Sequence, residues 1–210
     1  MKTIEVEKKV ALDQNQIKKI AQKAQLVQEI LIHDSYFDTI EYHYTSQNIW
    51  LRRREGIFEL KVKVKKREDL VDIYEEITNE KSLLEQLGLD MLGDLPTTLC
   101  QNKIFPFCNF VTQRKSYQVG ELKIDIDEAD FGDLRYRVAE IEMIVSSLDK
   151  VEDAEQKITQ FINELEINTS IPVTGKLTYY LYCRRPGHYQ TLVHNKVILP
   201  ITEEHIQNFM

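Results

Sequence analysis

Ile4-Glu5-Val6-Glu7-Lys8-Lys9-Val10 decides how the rest of the chain is read. Along a strand, successive side chains point to opposite faces, so Glu5, Glu7 and Lys9 share one face while Ile4, Val6 and Val10 take the other. The same alternation returns in WLRRRE with Arg52 and Arg54, in FELKVKV with Glu59 and Lys61, in LKIDID with Asp125 and Asp127, and in VAEIEMI with Glu140 and Glu142. One such strand alone reads as a solvated face laced with weak surface ion pairs. Five of them, beside amphipathic helices that need apolar partners, turn the ionic faces inward and leave the apolar faces to be covered from outside. The expected fold is α+β: an eight-stranded antiparallel β-barrel, or tunnel, with a charged interior and helices packed around it.

Besides the first strand, the pattern predicts strands near residues 26–38, 48–55, 57–65, 71–78, 104–117, 120–129 and 135–145. Glu55-Gly56 and Val119-Gly120 read as hairpin turns, which makes neighbouring strands antiparallel and favours a meander over βαβ units. Asp13 is a plausible N-cap for a helix over 14–24, and Leu83, Leu84 and Leu87 mark another over 79–90. A third spans 149–165, and a last one follows Thr174 as N-cap and is ended by Pro186-Gly187, which places Lys176 in a helical first turn. No repeat or linker interrupts the chain, so residues 1–210 are read as one domain.

The formal charge of −7 excludes a broad nucleic-acid or anionic-membrane surface, which would need clustered, unopposed Lys and Arg. No apolar run is long enough to span a bilayer, and the N-terminus runs straight into a charged strand instead of a signal region. A cytoplasmic monomer acting on a small molecule, with no nucleic acid and no membrane partner, is expected. Cys100, Cys108 and Cys183 are odd in number and lack C-x-x-C spacing, so reduced thiols are expected, and the five histidines never fall at metal-binding spacing.

Carboxylates gathered as Glu5, Glu7, Asp125, Asp127, Glu140, Glu142 and Glu76 cannot share a cavity without a cation, because they would repel and neutralise. A hard divalent ion, Mg²⁺ or Mn²⁺, takes such oxygen ligands and is commonly completed by phosphate. The E-x-E spacing sets two carboxylates roughly 6–7 Å apart on one face, a separation that suits shared metal positions. Lys9, Arg52, Arg54, Lys61, Arg114 and Lys176 form the opposing set. Internal salt bridges alone would satisfy them, yet buried pairs give little net stability, so their retention points to an anionic guest such as a triphosphate. Trp50 has the parity of Arg52 and Arg54, so its ring is aimed at the cavity, either filling the rim or offering a face to a cationic or heteroaromatic ring.

IEVEKK, DSYFDT, NIWLRRREG, FELK, EADFG, AEIEM, and GKLTYYL followed by RPGHYQ together resemble the CYTH, or triphosphate tunnel metalloenzyme, superfamily, over nearly the whole chain and most closely its thiamine triphosphatase branch. The resemblance implies Mg²⁺-dependent hydrolysis of thiamine triphosphate to thiamine diphosphate and phosphate. Arg52, Arg54, Lys61, Arg114 and Lys176 correspond to phosphate grips, supported by Lys9, and Glu5, Glu7, Asp125, Glu140 and Glu142 to the metal set. It also implies thiazolium stacking on Trp50 and activation of water by Tyr36 with Lys61. Whether Lys61 could act as a base depends on neighbours of opposing sign. A generic tripolyphosphatase, an adenylyl cyclase of the same family and a non-catalytic polyphosphate-binding module stay open as alternatives. The basic stretch Lys63 to Asp72 fits no motif and reads as a solvated hairpin tip.

Overall fold

The computed structural model describes residues 2–64, 72–170 and 172–202. In chain order it runs β1 (Lys2–Val10), α1 (Gln14–Lys23), β2 (Gln25–Asp38), β3 (Ile49–Arg54), β4 (Ile57–Lys63) and β5 (Asp72–Ile77). Then follow α2 (Glu80–Leu87), α3 (Leu95–Gln101), β6 (Phe105–Val119), β7 (Leu122–Asp130), β8 (Arg135–Val145), α4 (Val151–Glu164), α5 (Lys176–Arg184) and α6 (Pro186–His194). The strands close into an eight-membered ring ordered β1-β5-β4-β3-β2-β6-β7-β8. Two antiparallel meanders, β2 to β5 and β6 to β8, are stitched together by β2 against β6 on one side and by β1 between β5 and β8 on the other. Part of the basic stretch, residues 65–71, lies outside the described residues.

Turn chemistry fixes the hairpins. Glu55 and Gly56 have φ of 48° and 87°, the paired positive angles that let a two-residue turn follow the strand twist. The second hairpin departs from expectation by one residue: β6 runs on through Val119, and Gly120, at φ 57°, begins the turn.

Apolar outer faces meet the helices as their alternation requires. Val6, Ile124 and Ile141 pack beneath Ile20 of α1 and Ile158 of α4. Leu51, Leu60 and Ile77 pack beneath Leu83 of α2 and Leu99 of α3. Each such side chain, taken fully out of water, contributes roughly 1.5–3 kcal/mol. Among the described residues, no helix is long and apolar enough to cross a membrane.

Two helices appear where none was expected. α3 has only seven residues, capped by Asp94 with Pro96 in its first turn, and is too short to announce itself by periodicity. Pro186 does stand where α5 has ended, but it occupies the first turn of α6, where its missing N–H costs nothing. The cap of α5 also differs, being Gly175 instead of Thr174, whose carbonyl accepts a hydrogen bond from the Tyr136 hydroxyl. α5 lies across one end of the ring, where inward-facing Tyr36, Cys108, Phe110 and Ala129 pack with Leu177 and Tyr180.

Candidate functional site

Antiparallel register brings the ionic faces together. Glu7 pairs with Glu142 and Lys9 with Glu140 across β1 and β8. Asp125 stands opposite Glu140, Arg114 opposite Asp127, Lys61 opposite Glu76, and Arg52 between Glu59 and Tyr36. These side chains surround a cavity of about 700 Å³ inside the ring. Glu5, Glu7, Lys9, Tyr36, Trp50, Arg52, Arg54, Lys61, Arg114, Glu140, Glu142 and Lys176 all line it. Asp125 is expected beside them but sits one layer deeper, wholly buried.

On the acidic wall, Glu5, Glu7 and Glu142 offer carboxylate oxygens within 4.8 Å of one another, and all three are buried. Burial pushes the Glu7 carboxyl above the usual range, and burial with the adjacent Glu5 carries Glu142 up to about 8. Burial also opposes ionisation of Glu5, but the charge and hydrogen bond of Lys61 together with a hydrogen bond from Glu142 outweigh it and hold that carboxyl at about 2. Three crowded oxygen donors that cannot all ionise comfortably are the donor set a hard divalent cation fits. Asp125, Glu140 and Glu142 form a second trio, but there Asp125 accepts from Ser116 Oγ at 2.6 Å on one oxygen, and on the other from Lys123 at 2.7 Å and from Arg114. Both oxygens of Asp125 thus already accept from protein donors, Arg114 among them.

On the basic wall every cation is held by carboxylates. Asp34 grips Arg54 with two hydrogen bonds of 2.8 and 2.9 Å, the fork geometry that aims a guanidinium. Arg52 donates to Glu59 at 2.6 Å, and Arg114 donates to Asp127 at 2.7 and 2.6 Å. Lys176 reaches from the first turn of α5 to Asp127 and lies 3.7 Å from Glu140. Lys9 binds Glu7, and Lys61 binds Glu5 with Glu76 at 3.2 Å.

The proposed water-activating pair has a definite protonation. Burial pushes the Tyr36 hydroxyl up to about 12, with Asp34 adding to the effect, so Tyr36 is a neutral donor at physiological pH. Burial works against the Lys61 ammonium, but Glu5 and Glu7 prevail and raise its pKa above the usual lysine range. The raised pKa favours the charged form of Lys61, which suits it to neutralise a phosphate oxygen.

Several participants were not picked out from the sequence. Asp34 shares strand parity with Tyr36, and Lys123 with Asp125, so alternation could have found both. Tyr74 lies inside as well, with the Lys9, Lys61 and Lys63 ammoniums 5.5–6.0 Å from its ring centroid. Asn48 falls within the strand expected over 48–55 with the parity of Trp50, so alternation could have found it too; β3 begins one residue later, and Asn48 Oδ1 accepts from the Trp50 indole at 3.2 Å.

Comparison with known proteins agrees with this architecture. Thiamine-triphosphatase from Macaca fascicularis is 30% identical over 190 residues, covering 80% of this chain and 79% of the relative. The Homo sapiens protein of that name is 29% identical over 187 residues, covering 78% and 77%. Among solved structures, the PH1819 protein from Pyrococcus horikoshii OT3 superposes with a TM-score of 0.53 at 19% identity, covering 78% of this chain and 91% of its own. A Hippeastrum protein described as a putative adenylyl cyclase with a dominant triphosphatase activity gives 0.54 at 18%, covering 86% and 96%. The family model described as CYTH domain matches residues 3–171, and with that the chain belongs to the CYTH domain family.

Proposed function

We propose that this protein is a Mg²⁺-dependent hydrolase that converts thiamine triphosphate and water to thiamine diphosphate and phosphate. The observation that carries this reading is a cavity inside the ring lined by the carboxylates Glu5, Glu7 and Glu142 and, interleaved with them, by the six cations Lys9, Arg52, Arg54, Lys61, Arg114 and Lys176, with Trp50 on its lining. The cations neutralise the oxygens of a linear triphosphate and hold it in one line. Water adds to the terminal phosphorus as the bond to the bridging oxygen breaks; thiamine diphosphate leaves with that oxygen, and the surplus proton passes to solvent. Tyr36 donates a hydrogen bond, and Lys61 supplies charge where the phosphoryl oxygens gather it.

Glu5, Glu7 and Glu142 would hold Mg²⁺, or Mn²⁺ in its place, with Glu140 beside them. When bound, the ion supplies Lewis-acid neutralisation of phosphate charge. Trp50 stacks on the thiazolium, whose positive charge favours an aromatic face. We assign the protein as a single-domain cytoplasmic monomer acting on a small molecule, with neither nucleic acid nor membrane as partner; the net charge of −7 supports the exclusion of nucleic acid.

The test is phosphate release from thiamine triphosphate, ATP and tripolyphosphate, with Mg²⁺ and after chelation. The expected result is Mg²⁺-dependent release with thiamine triphosphate preferred, and a preference that Trp50→Ala erodes. Equal turnover of all three, untouched by Trp50→Ala, would replace this reading with a generic triphosphatase. Binding of all three without release would make the protein a binding module.

A further inference from the structure

We propose that Asn48 is a positioning residue that fixes the Trp50 indole and thereby sets the preference for an organic triphosphate over a bare one. This rests on the thiamine triphosphate reading given above.

An indole has one polar atom, a donor, and a half-buried tryptophan is oriented by whatever accepts from it. Here that acceptor is Asn48 Oδ1, 3.2 Å from Trp50 Nε1. The indole can only donate, so the amide oxygen, not the nitrogen, faces it. On its other side Trp50 packs with the apolar cluster of Leu181, Tyr189 and Leu192, joined by Val197 and Ile198 from the segment after α6. Apolar packing resists displacement but is not directional, so the hydrogen bond is what selects the ring's angle to the cavity.

Asn48 is itself pinned. Its φ of 62° and ψ of 32° are left-handed, its N–H donates to the Thr45 carbonyl at 3.0 Å, and its carbonyl accepts from Lys63 N–H at 3.2 Å. Glycine would meet the backbone demand with less strain. The asparagine side chain adds the one thing glycine lacks, an acceptor held at a fixed place beside the ring. Asn48 and Trp50 both line the cavity, and Trp50 stands opposite Lys61 and two residues before Arg52, so its ring borders the phosphate grips where the organic end of a bound triphosphate would emerge from them.

The experiment uses Asn48→Gly, which keeps the left-handed turn and removes the side chain with its acceptor, and Asn48→Asp, which keeps the side chain's size and an acceptor oxygen. Trp50 is the sole tryptophan, so intrinsic fluorescence and its quenching by acrylamide report on this ring alone. Asn48→Gly should raise quenching and lower the ratio of kcat/KM for thiamine triphosphate to that for tripolyphosphate about three- to tenfold, the factor that one ordinary hydrogen bond is worth. Asn48→Asp should restore both. An unchanged ratio in Asn48→Gly, or Asn48→Asp behaving like Asn48→Gly, would overturn the inference. Wild-type protein that ignores thiamine triphosphate would instead remove the reading on which it rests, and is seen before any variant is made.

Discussion

Asp125 shows what a single residue's surroundings decide. The family resemblance put it with Glu5, Glu7, Glu140 and Glu142, and strand parity turned it to the same side. Neither could count the hydrogen bonds already filling its two oxygens, since Ser116, Lys123 and Arg114 come from other positions of β6 and β7. Two variants separate the roles. Glu7→Gln should weaken Mn²⁺ binding, followed by electron paramagnetic resonance, by more than tenfold. Asp125→Asn should leave Mn²⁺ affinity closer to wild type and raise KM for the triphosphate, because Arg114 loses one of its carboxylate holds and keeps those of Asp127 and Glu140; breaking such a buried, hydrogen-bonded charge pair costs about 2–5 kcal/mol. The converse pattern would make Asp125 the ligand. Arg54→Ala, which removes a grip aimed by Asp34, should lower kcat/KM roughly 100-fold with the circular dichroism spectrum intact.

Among the elements, long strands with strict alternation were legible and short or proline-led helices were not. β1, β3, β4, β7 and β8 each carry two or more charges at alternate positions, so a one-residue slip would bury charge against the helices and expose the core; register is strongly specified. α6 has no comparable signal, because Pro186-Gly187 reads as punctuation and its docking depends on a residue far away in sequence. His188 of α6 is buried, its Nε2 lies 2.8 Å from Thr45 Oγ1, and its ring stacks on Tyr42 at 3.8 Å between centroids. Burial, with Arg185 adding to it and Asp38 opposing, lowers its pKa to about 4 from an ordinary 6.5. Below pH 6.5 the unfolded chain binds a proton there that the native chain refuses until about pH 4, so stability falls as pH drops through that window. Thermal melts should show this slope, and His188→Gln, which keeps a partner for Thr45, should flatten it; an identical slope in the variant would discharge His188 from the effect.

At the scale of the molecule, closure of the ring leaves no strand edge free among the described residues. That closure was foreseeable because five strands repeated one pattern, whereas the contribution of Lys176 to the interior needed the chain to carry α5 across one end of the ring. Crowding among the carboxylates of Glu5, Glu7 and Glu142 opposes their joint ionisation, a cost that a bound cation would relieve. Mg²⁺ at about 100 times its dissociation constant should therefore add about 2.7 kcal/mol and raise the melting temperature. Glu7→Gln should lose most of that increment, and a wild-type melting temperature indifferent to Mg²⁺ would argue against a native metal site.

The pairing of Lys61 with Glu5, Lys9 with Glu7 and Arg54 with Asp34 means that the tunnel carries its own competitors. An incoming triphosphate must outbid tethered carboxylates for each ammonium and guanidinium, and only a polyanion reaching many of them at once succeeds. Hydrolysis divides that polyanion into two shorter ones, each with fewer simultaneous holds, and the tethered carboxylates reclaim their cations. Turnover is thus protected from product clogging by the same residues that slow capture, so orthophosphate should inhibit far more weakly than a non-hydrolysable triphosphate.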